Sequence, residues 1–304
     1  MKKDFICIKD LTAGEIEELF ALTDKLKQEK DKYSGLLRGK TLALIFQKPS
    51  NRTRVSFEVG MYQLGGNSIY LSPGEINLGV RETIKDVAKT LSRYVDGIVI
   101  RTFAHNNVVE LAEHASIPVI NGLSDLLHPC QALADIYTIR EKCKKLRGVN
   151  LGYVGDGNNV CHSLLYGSSR VGININVATP AGYEPKASIV KEAQALAKGS
   201  GAVIKLFHKP QDAVKNTDVV YTDVWASMGQ EKETEKRKKA FRGFQINQNL
   251  LKVAGRGALI MHCLPAHRGE EITDEVIDSS CSIVFDQAEN RMHVQKAILI
   301  KLLK

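Results

Sequence analysis

The stretch LGYVGDGNNVCHSLL (151–165) reads as a strand, a glycine turn and a helix, the connection that joins a buried parallel strand to its crossover helix. It matches a dinucleotide fingerprint only in part. Gly155 and Gly157 supply a G-x-G, but Val160 stands where the third glycine belongs. The next strand ends in Ala178-Thr179, with no acidic residue for a ribose hydroxyl, which disfavours a nicotinamide dehydrogenase. The turn offers the side-chain amides of Asn158 and Asn159 instead.

The same alternation extends outward in both directions. Toward the N-terminus lie the apolar runs TLALIF (41–46), NSIYL (67–71), GIVIR (97–101) and IPVI (117–120). Toward the C-terminus lie INVAT (175–179), AVIKLF (202–207), DVVYTDV (218–224), ALIMHCL (258–264) and SIVFD (282–286). Helix-like stretches separate these runs. Continuous apolar strands alternating with helices predict an α/β chain built of doubly wound parallel sheets. A long helical stretch, Pro129 to Leu146, divides the runs into two groups, which predicts domains at 1–146 and 147–287 followed by an amphipathic helix, AENRMHVQKAILIKLLK (288–304).

The composition bounds the function classes. The 304 residues are 43% hydrophobic and 25% charged, ample for buried cores. No apolar run approaches the length of about twenty residues that spans a bilayer, and Asp4, Lys9 and Asp10 break up the start of the chain. The expectation is a cytoplasmic protein with no membrane partner. Six cysteines (7, 130, 143, 161, 263 and 281) form no CxxC pair, and most read as small buried hydrophobes. The formal charge of +8 suits an anionic ligand. The densest basic run, KETEKRKK (232–239), is interrupted by acids and lacks aromatics, so it reads as a solvated face rather than a nucleic-acid site.

In open α/β sheets ligands bind beyond the carboxyl ends of strands, and the unusual residues gather there. After TLALIF comes QKPSNRTR, where Ser50 caps a helix and Arg52 and Arg54 flank its N-terminus, a ready place for a phosphate dianion. Arg101-Thr102 follows the next central strand. His128 and Gln131 flank the helix start at Pro129, Asp223 follows DVVYT, and Cys263 ends ALIMH with Pro265 beyond it. His262, Cys263 and His267 suggest a metal cluster, but a structural zinc wants four ligands. Cys263, His128 and Asp223 suggest a cysteine hydrolase, which leaves the arginines without a task. A phosphate- or amino-acid-binding protein without catalysis is the remaining class.

Seven pieces taken in order, SNRTR (50–54), RT (101–102), HPCQ (128–131), GDGNN (155–159), DVWASMG (223–229), HCLP (262–265) and ENRMH (289–293), resemble the aspartate/ornithine carbamoyltransferase family across essentially the whole chain. The Asp-x-x-x-Ser-Met-Gly loop resembles the variant that selects ornithine. The resemblance implies carbamoyl transfer from carbamoyl phosphate to the side-chain amine of ornithine, giving citrulline and phosphate. It implies direct amine attack through a tetrahedral intermediate, with no cofactor and no metal, and a homotrimer. The active site is expected in the cleft between the domains, with the 288–304 helix packed back on the first.

Carried over residue by residue, the resemblance puts Ser50, Asn51, Arg52, Thr53, Asn77, Arg101, His128, Gln131, Cys263, Leu264 and Arg291 on carbamoyl phosphate. It puts Asn159, Asp223, Ser227 and Met228 on ornithine, and gives catalytic roles to Arg101, His128, Asp223 and Cys263. Two positions depart from the family pattern. Asn51 stands where Thr is usual, and Asn77, in EINLGVRE, stands where Gln is usual.

Overall fold

The computed structural model describes residues 3–226, 229 and 231–304. The chain packs as two compact units, Met1–Ala134 with Glu289–Lys304, and Asp135–Ala288. The helices Pro129–Cys143 and Val284–Leu303 carry the chain from one unit into the other.

In the first unit four parallel strands, β1 (Thr41–Phe46), β2 (Asn67–Leu71), β3 (Gly97–Arg101) and β4 (Val119–Leu123), lie in the order β2-β1-β3-β4. Their near-continuous apolar runs are what a sheet covered on both faces requires, and residues 42–46 and 97–101 are all buried. Ala43, Ile45, Ile98 and Ile100 pack with Val108 and Leu111 of the helix His105–His114. Each such side chain contributes roughly 1.5–3 kcal/mol on burial. The chain leaves β1 toward β2 but leaves β3 toward β4. The loops after the two central strands therefore diverge and open a crevice at their carboxyl ends. The register pairs Phe46 with Arg101, so both strands end at the same level.

The second unit repeats this logic with five parallel strands, β5 (Asn150–Val154), β6 (Asn174–Ala178), β7 (Ile204–Phe207), β8 (Val219–Thr222) and β9 (Leu259–His262), in the order β7-β6-β5-β8-β9. Its switch point lies between β5 and β8, which pair Val154 with Thr222. Among the described residues no helix is long and apolar enough to cross a membrane.

One expected strand is absent. SIVFD (282–286) makes only an isolated bridge, Ser282 to Ile260, and the chain enters the helix Val284–Leu303 two residues later. The run is buried at Ile283 and Val284 but not at Phe285, which is 70% exposed, so it cannot serve as a fully covered strand. Asp286 in the first helical turn favours the helix through its dipole. The strand expected at 117–120 is instead β4 at 119–123, and the helix expected to reach Leu146 ends at Cys143, with Lys144 left-handed (φ 59°).

The glycine turn has a packing reason unrelated to a dinucleotide. A Cβ at Gly157 would lie 2.2 Å from the Pro185 nitrogen and 2.7 Å from the Tyr183 oxygen, because that backbone crosses directly over the turn. Gly157 N–H donates to the same Tyr183 carbonyl at 2.9 Å. Gly157→Ala is therefore expected to cost about 1–3 kcal/mol in a urea unfolding measurement. Gly199→Ala, a helical site with nothing within 4 Å, should leave stability equal or higher. Equal stability of the two variants would contradict the packing reading of the turn.

Candidate active site

In the first unit the sequence-predicted residues converge. Ser50 caps the helix Asn51–Gln63, its hydroxyl accepting the Thr53 N–H at 3.1 Å. The first-turn amides at Asn51 and Arg52 then face out of the helix end, as in any α-helix. The Thr53 hydroxyl accepts a hydrogen bond from Arg291 Nη2 at 2.7 Å, which leaves its own proton for another acceptor. Arg101 ends β3 and is only 5% exposed. The Gln47 N–H donates to its carbonyl at 2.8 Å. Thr102 donates to Gln47 Oε1, and Asn107 Nδ2 donates to the Thr102 hydroxyl at 3.0 Å, tying the ends of β1 and β3 together.

His128, at the entry to the helix Pro129–Cys143, is buried, as is Gln131. Burial, and after it the positive charges of Arg291, Arg101 and Arg52, hold the His128 imidazole well below its ordinary value. His128 is therefore neutral over the working range and can donate one N–H but not act as an acid. The guanidinium groups that act on one buried ring, beside a helix N-terminus, form a strong anion site. Cys130, inside the same motif, is pushed up to about 12 by burial and is inert.

Two first-unit residues lie elsewhere. Arg54 turns away from the helix end to Glu58, at 3.0 Å, and stacks on Tyr70 with its guanidinium carbon 3.7 Å from the ring centroid. Asn77 is exposed in the left-handed conformation (φ 38°) that closes the short helix Pro73–Ile76, in contrast to the buried Arg101, His128 and Gln131.

In the second unit Asp223 is the hub, buried just after β8. Its Oδ1 accepts the Cys263 thiol at 2.9 Å and the Val224 N–H at 2.8 Å, and its Oδ2 accepts Asn158 Nδ2 at 2.7 Å. Asn158 also caps the helix Asn159–Val171, its Oδ1 accepting from Val160 N–H at 3.0 Å and Cys161 N–H at 3.1 Å. Asn158, which the resemblance did not assign a role, orients the carboxylate. Leu264 sits in the left-handed region (φ 57°) with its N–H donated to His262 Nδ1 at 2.8 Å. Ser227 and Met228 lie outside the described residues.

The basic run contains a correction. Arg237, on the helix Thr234–Ala240, is buried rather than solvated. Its Nη1 donates to Asp156 Oδ2 at 2.9 Å and to the Trp225 carbonyl at 2.9 Å, binding the GDGNN turn to the start of the DVWASMG loop. The only sequence signal was Glu233 one turn earlier, which accepts from Arg237 Nε at 3.1 Å. The suggested metal cluster is disfavoured. Asp223, His262 and Cys263 offer donor atoms within 4.8 Å of one another, yet both ring nitrogens of His262 are engaged, by Leu264 N–H and by Glu271. His267 is exposed and groups with Glu270 and Glu271, where Lys238 already holds Glu270 at 2.8 Å.

Comparison with known proteins points to one family over both units. Residues 3–141 match the family model described as aspartate/ornithine carbamoyltransferase, carbamoyl-P binding domain, and residues 147–302 match the companion Asp/Orn binding domain. The ornithine carbamoyltransferase of Thermococcus kodakarensis is 55% identical over 98% of this chain and 95% of its own length. An ornithine carbamoyltransferase of Pyrococcus furiosus described as anabolic is 55% identical, with coverage of 98% and 95%. The solved ornithine carbamoyltransferase structure from Pyrococcus furiosus superposes with a TM-score of 0.96 at 54% identity, over 99% of this chain and 96% of that one.

Asp156 makes a pH dependence expected. Burial pushes its carboxyl up from 3.8 to about 6, opposed by Arg237 and assisted by the negative charges of Asp223 and Glu233. A carboxyl raised on folding binds more protons in the folded state, so its stabilising share is complete below pH 4 and is lost as pH rises toward about 6. The stability of the wild type relative to Asp156→Asn should therefore fall by roughly 2 kcal/mol between pH 4 and 6.5, measured by urea unfolding. A difference that is flat or rises with pH would contradict the assignment.

Proposed function

The chain belongs to the aspartate/ornithine carbamoyltransferase family, and from that premise we infer which of its residues carry out the reaction. It transfers the carbamoyl group of carbamoyl phosphate to the side-chain amine of ornithine, giving citrulline and phosphate. The observation that carries the residue assignment is the convergence of Arg52, Arg101 and Arg291 on a neutral, buried His128 at a helix N-terminus.

In this reading Ser50, the amides at Asn51 and Arg52, and the side chains of Arg52, Arg101 and Arg291 hold the phosphate. Arg101, the His128 N–H and the Thr53 hydroxyl donate to the carbonyl oxygen, where negative charge grows as the amine attacks. A neutral His128 suits this role, since it donates without a proton leaving the ring. Gln131 takes the carbamoyl NH2, and Cys263 and Leu264 are assigned to the same substrate by the family resemblance. Positioning two small substrates supplies several kcal/mol of the rate, so no covalent intermediate is required. The departing phosphate can accept the amine proton.

Ornithine carries two amines and only one should react. Asp223, already bonded to the Cys263 thiol and the Asn158 amide, favours the charged α-ammonium and holds that end, while the other amine attacks as the neutral base. Asn159, Ser227 and Met228 complete the ornithine contacts. The name anabolic given to the Pyrococcus furiosus relative supports a biosynthetic direction here. The reaction as proposed requires no metal or cofactor and is assigned to the cytoplasm.

A homotrimer is part of the same proposal. β2 is an edge strand exposing Ile69, and Val55 and Tyr62, the latter 80% exposed, extend that apolar surface along the helix Asn51–Gln63. A depression of about 500 Å³ lined by Ser50, Asn51, Arg54, Val55 and Tyr70 adjoins the phosphate-binding helix end. A second copy seated there would cover both, and its exposed Asn77 would reach the site of its neighbour.

Three outcomes are expected. Among ornithine, aspartate, putrescine and acetylornithine offered with carbamoyl phosphate, ornithine should be carbamoylated far faster than the rest. Asp223→Asn should weaken ornithine by about 2–5 kcal/mol while leaving carbamoyl phosphate binding nearly unchanged. A normal ornithine KM in that variant would remove Asp223 from the site. For the trimer, mixed Arg52→Ala and Asn77→Ala proteins should regain partial activity that neither shows alone. Sedimentation as a fully active monomer would refute the shared site.

A further inference from the structure

Residues 262–264 form an elbow whose shape is imposed from below by side chains that touch no substrate in the mechanism above. His262 is fully buried, and its backbone N–H donates to Gln287 Oε1 at 3.0 Å. Gln287 Nε2 in turn donates to Asp135 Oδ1 at 2.7 Å, and Tyr221 OH donates to Asp135 Oδ2 at 3.0 Å. The His262 ring works in the other direction. Its Nδ1 accepts the Leu264 N–H at 2.8 Å, so the ring proton sits on Nε2, which donates to Glu271 Oε1 at 3.0 Å. Glu271 is also fully buried, and the same oxygen accepts the His267 N–H at 2.6 Å. Asp135, Tyr221, Gln287, His262 and Glu271 thus form one buried polar chain ending on the amide of Leu264.

That amide belongs to a residue with φ 57°, a conformation that a branched side chain such as leucine rarely adopts and that needs an external hold. Capture of an i+2 N–H by the side chain of residue i closes a turn around the residue between them. Here that residue is Cys263, whose thiol meets Asp223 Oδ1 at 2.9 Å. An apolar pair of the same volume would fill the space without desolvating a carboxylate, but it could not dictate the turn. We propose that His262 and Glu271 are positioning residues that lock the Cys263–Leu264 elbow, so that the sulfur and the Leu264 backbone meet the substrates in reactive register. The inference rests on the reading that Cys263 and Leu264 contact substrate.

The test uses the full-length enzyme. His262→Leu removes both ring bonds, whereas His262→Asn puts an acceptor oxygen where Nδ1 stood. His262→Leu should lose about tenfold to a hundredfold in kcat, the scale of a misplaced reacting group, and His262→Asn should recover most of it. Site-resolved mass spectrometry after iodoacetamide should show Cys263 alkylated several-fold faster in His262→Leu, with Cys143, a half-buried thiol on the helix Pro129–Cys143, unchanged. A merely structural role would raise both cysteines together and give no rescue by asparagine. Should His262→Leu fail to fold, Glu271→Gln keeps the shape and loses the charge, and it should show a smaller kcat loss with the same selective gain at Cys263. Wild-type kcat and wild-type Cys263 alkylation in a folded His262→Leu, or in Glu271→Gln, would overturn the inference. Wild-type kinetics in Cys263→Ser would instead overturn the reading of Cys263 as a substrate contact.

Discussion

Three guanidinium groups, those of Arg52, Arg101 and Arg291, act on the buried imidazole of His128, and that concentration of positive charge constrains the first unit. Like charges in low dielectric repel strongly, and they persist only where the fold over-determines their positions. Each arginine is fixed by a different element: Arg52 by the first turn of a capped helix, Arg101 by the end of β3, and Arg291 by the C-terminal helix through the Thr53 hydroxyl. Their summed field does two things at once. It makes a dianion the favoured occupant, and it adds to the burial that keeps His128 neutral, which turns a potential acid into a fixed hydrogen-bond donor.

The proposed mechanism sets the second unit the opposite requirement, that its ligand be held as a cation at one end. In the proposed mechanism the carboxylate of Asp223 meets it, and the surrounding bonds fix that carboxylate on both oxygens. Both arrangements stand at the carboxyl ends of parallel strands flanking a switch in strand order, β1 with β3 in one unit and β5 with β8 in the other. The topology opens a crevice there in each sheet, and the loops that follow the central strands supply the chemistry.

Much of this was legible in the residues. The buried parallel strands are continuous apolar runs, and the helix Asn51–Gln63 is announced by its cap Ser50 with arginines in the next turn. The points that were not legible share one cause: they depend on where a side chain is aimed by distant backbone. Asn158 and Asn159 are equivalent in sequence, and only the cap geometry selects Asn158 as the partner of Asp223. Arg237 looks like any lysine-rich helix residue until Asp156 and the Trp225 carbonyl close on it. SIVFD carries the composition of a strand, yet the sheet offers it a single bridge before the helix begins. Gly157 satisfies a glycine pattern for a reason the pattern does not contain, the crossing of residues 183–185.

The proposed mechanism depends on the charge state of His128, and the ring's resonances report that state directly. In protein labelled with nitrogen-15 histidine and assigned through a His128→Gln variant, the ring nitrogens can be followed from pH 5 to pH 8. Burial, reinforced by the arginine field, predicts that His128 stays neutral, in one tautomer, across the whole interval. A His128 signal that titrates with a midpoint near 6.5 would contradict it, and with it the assignment of this ring as a fixed donor to the carbamoyl oxygen.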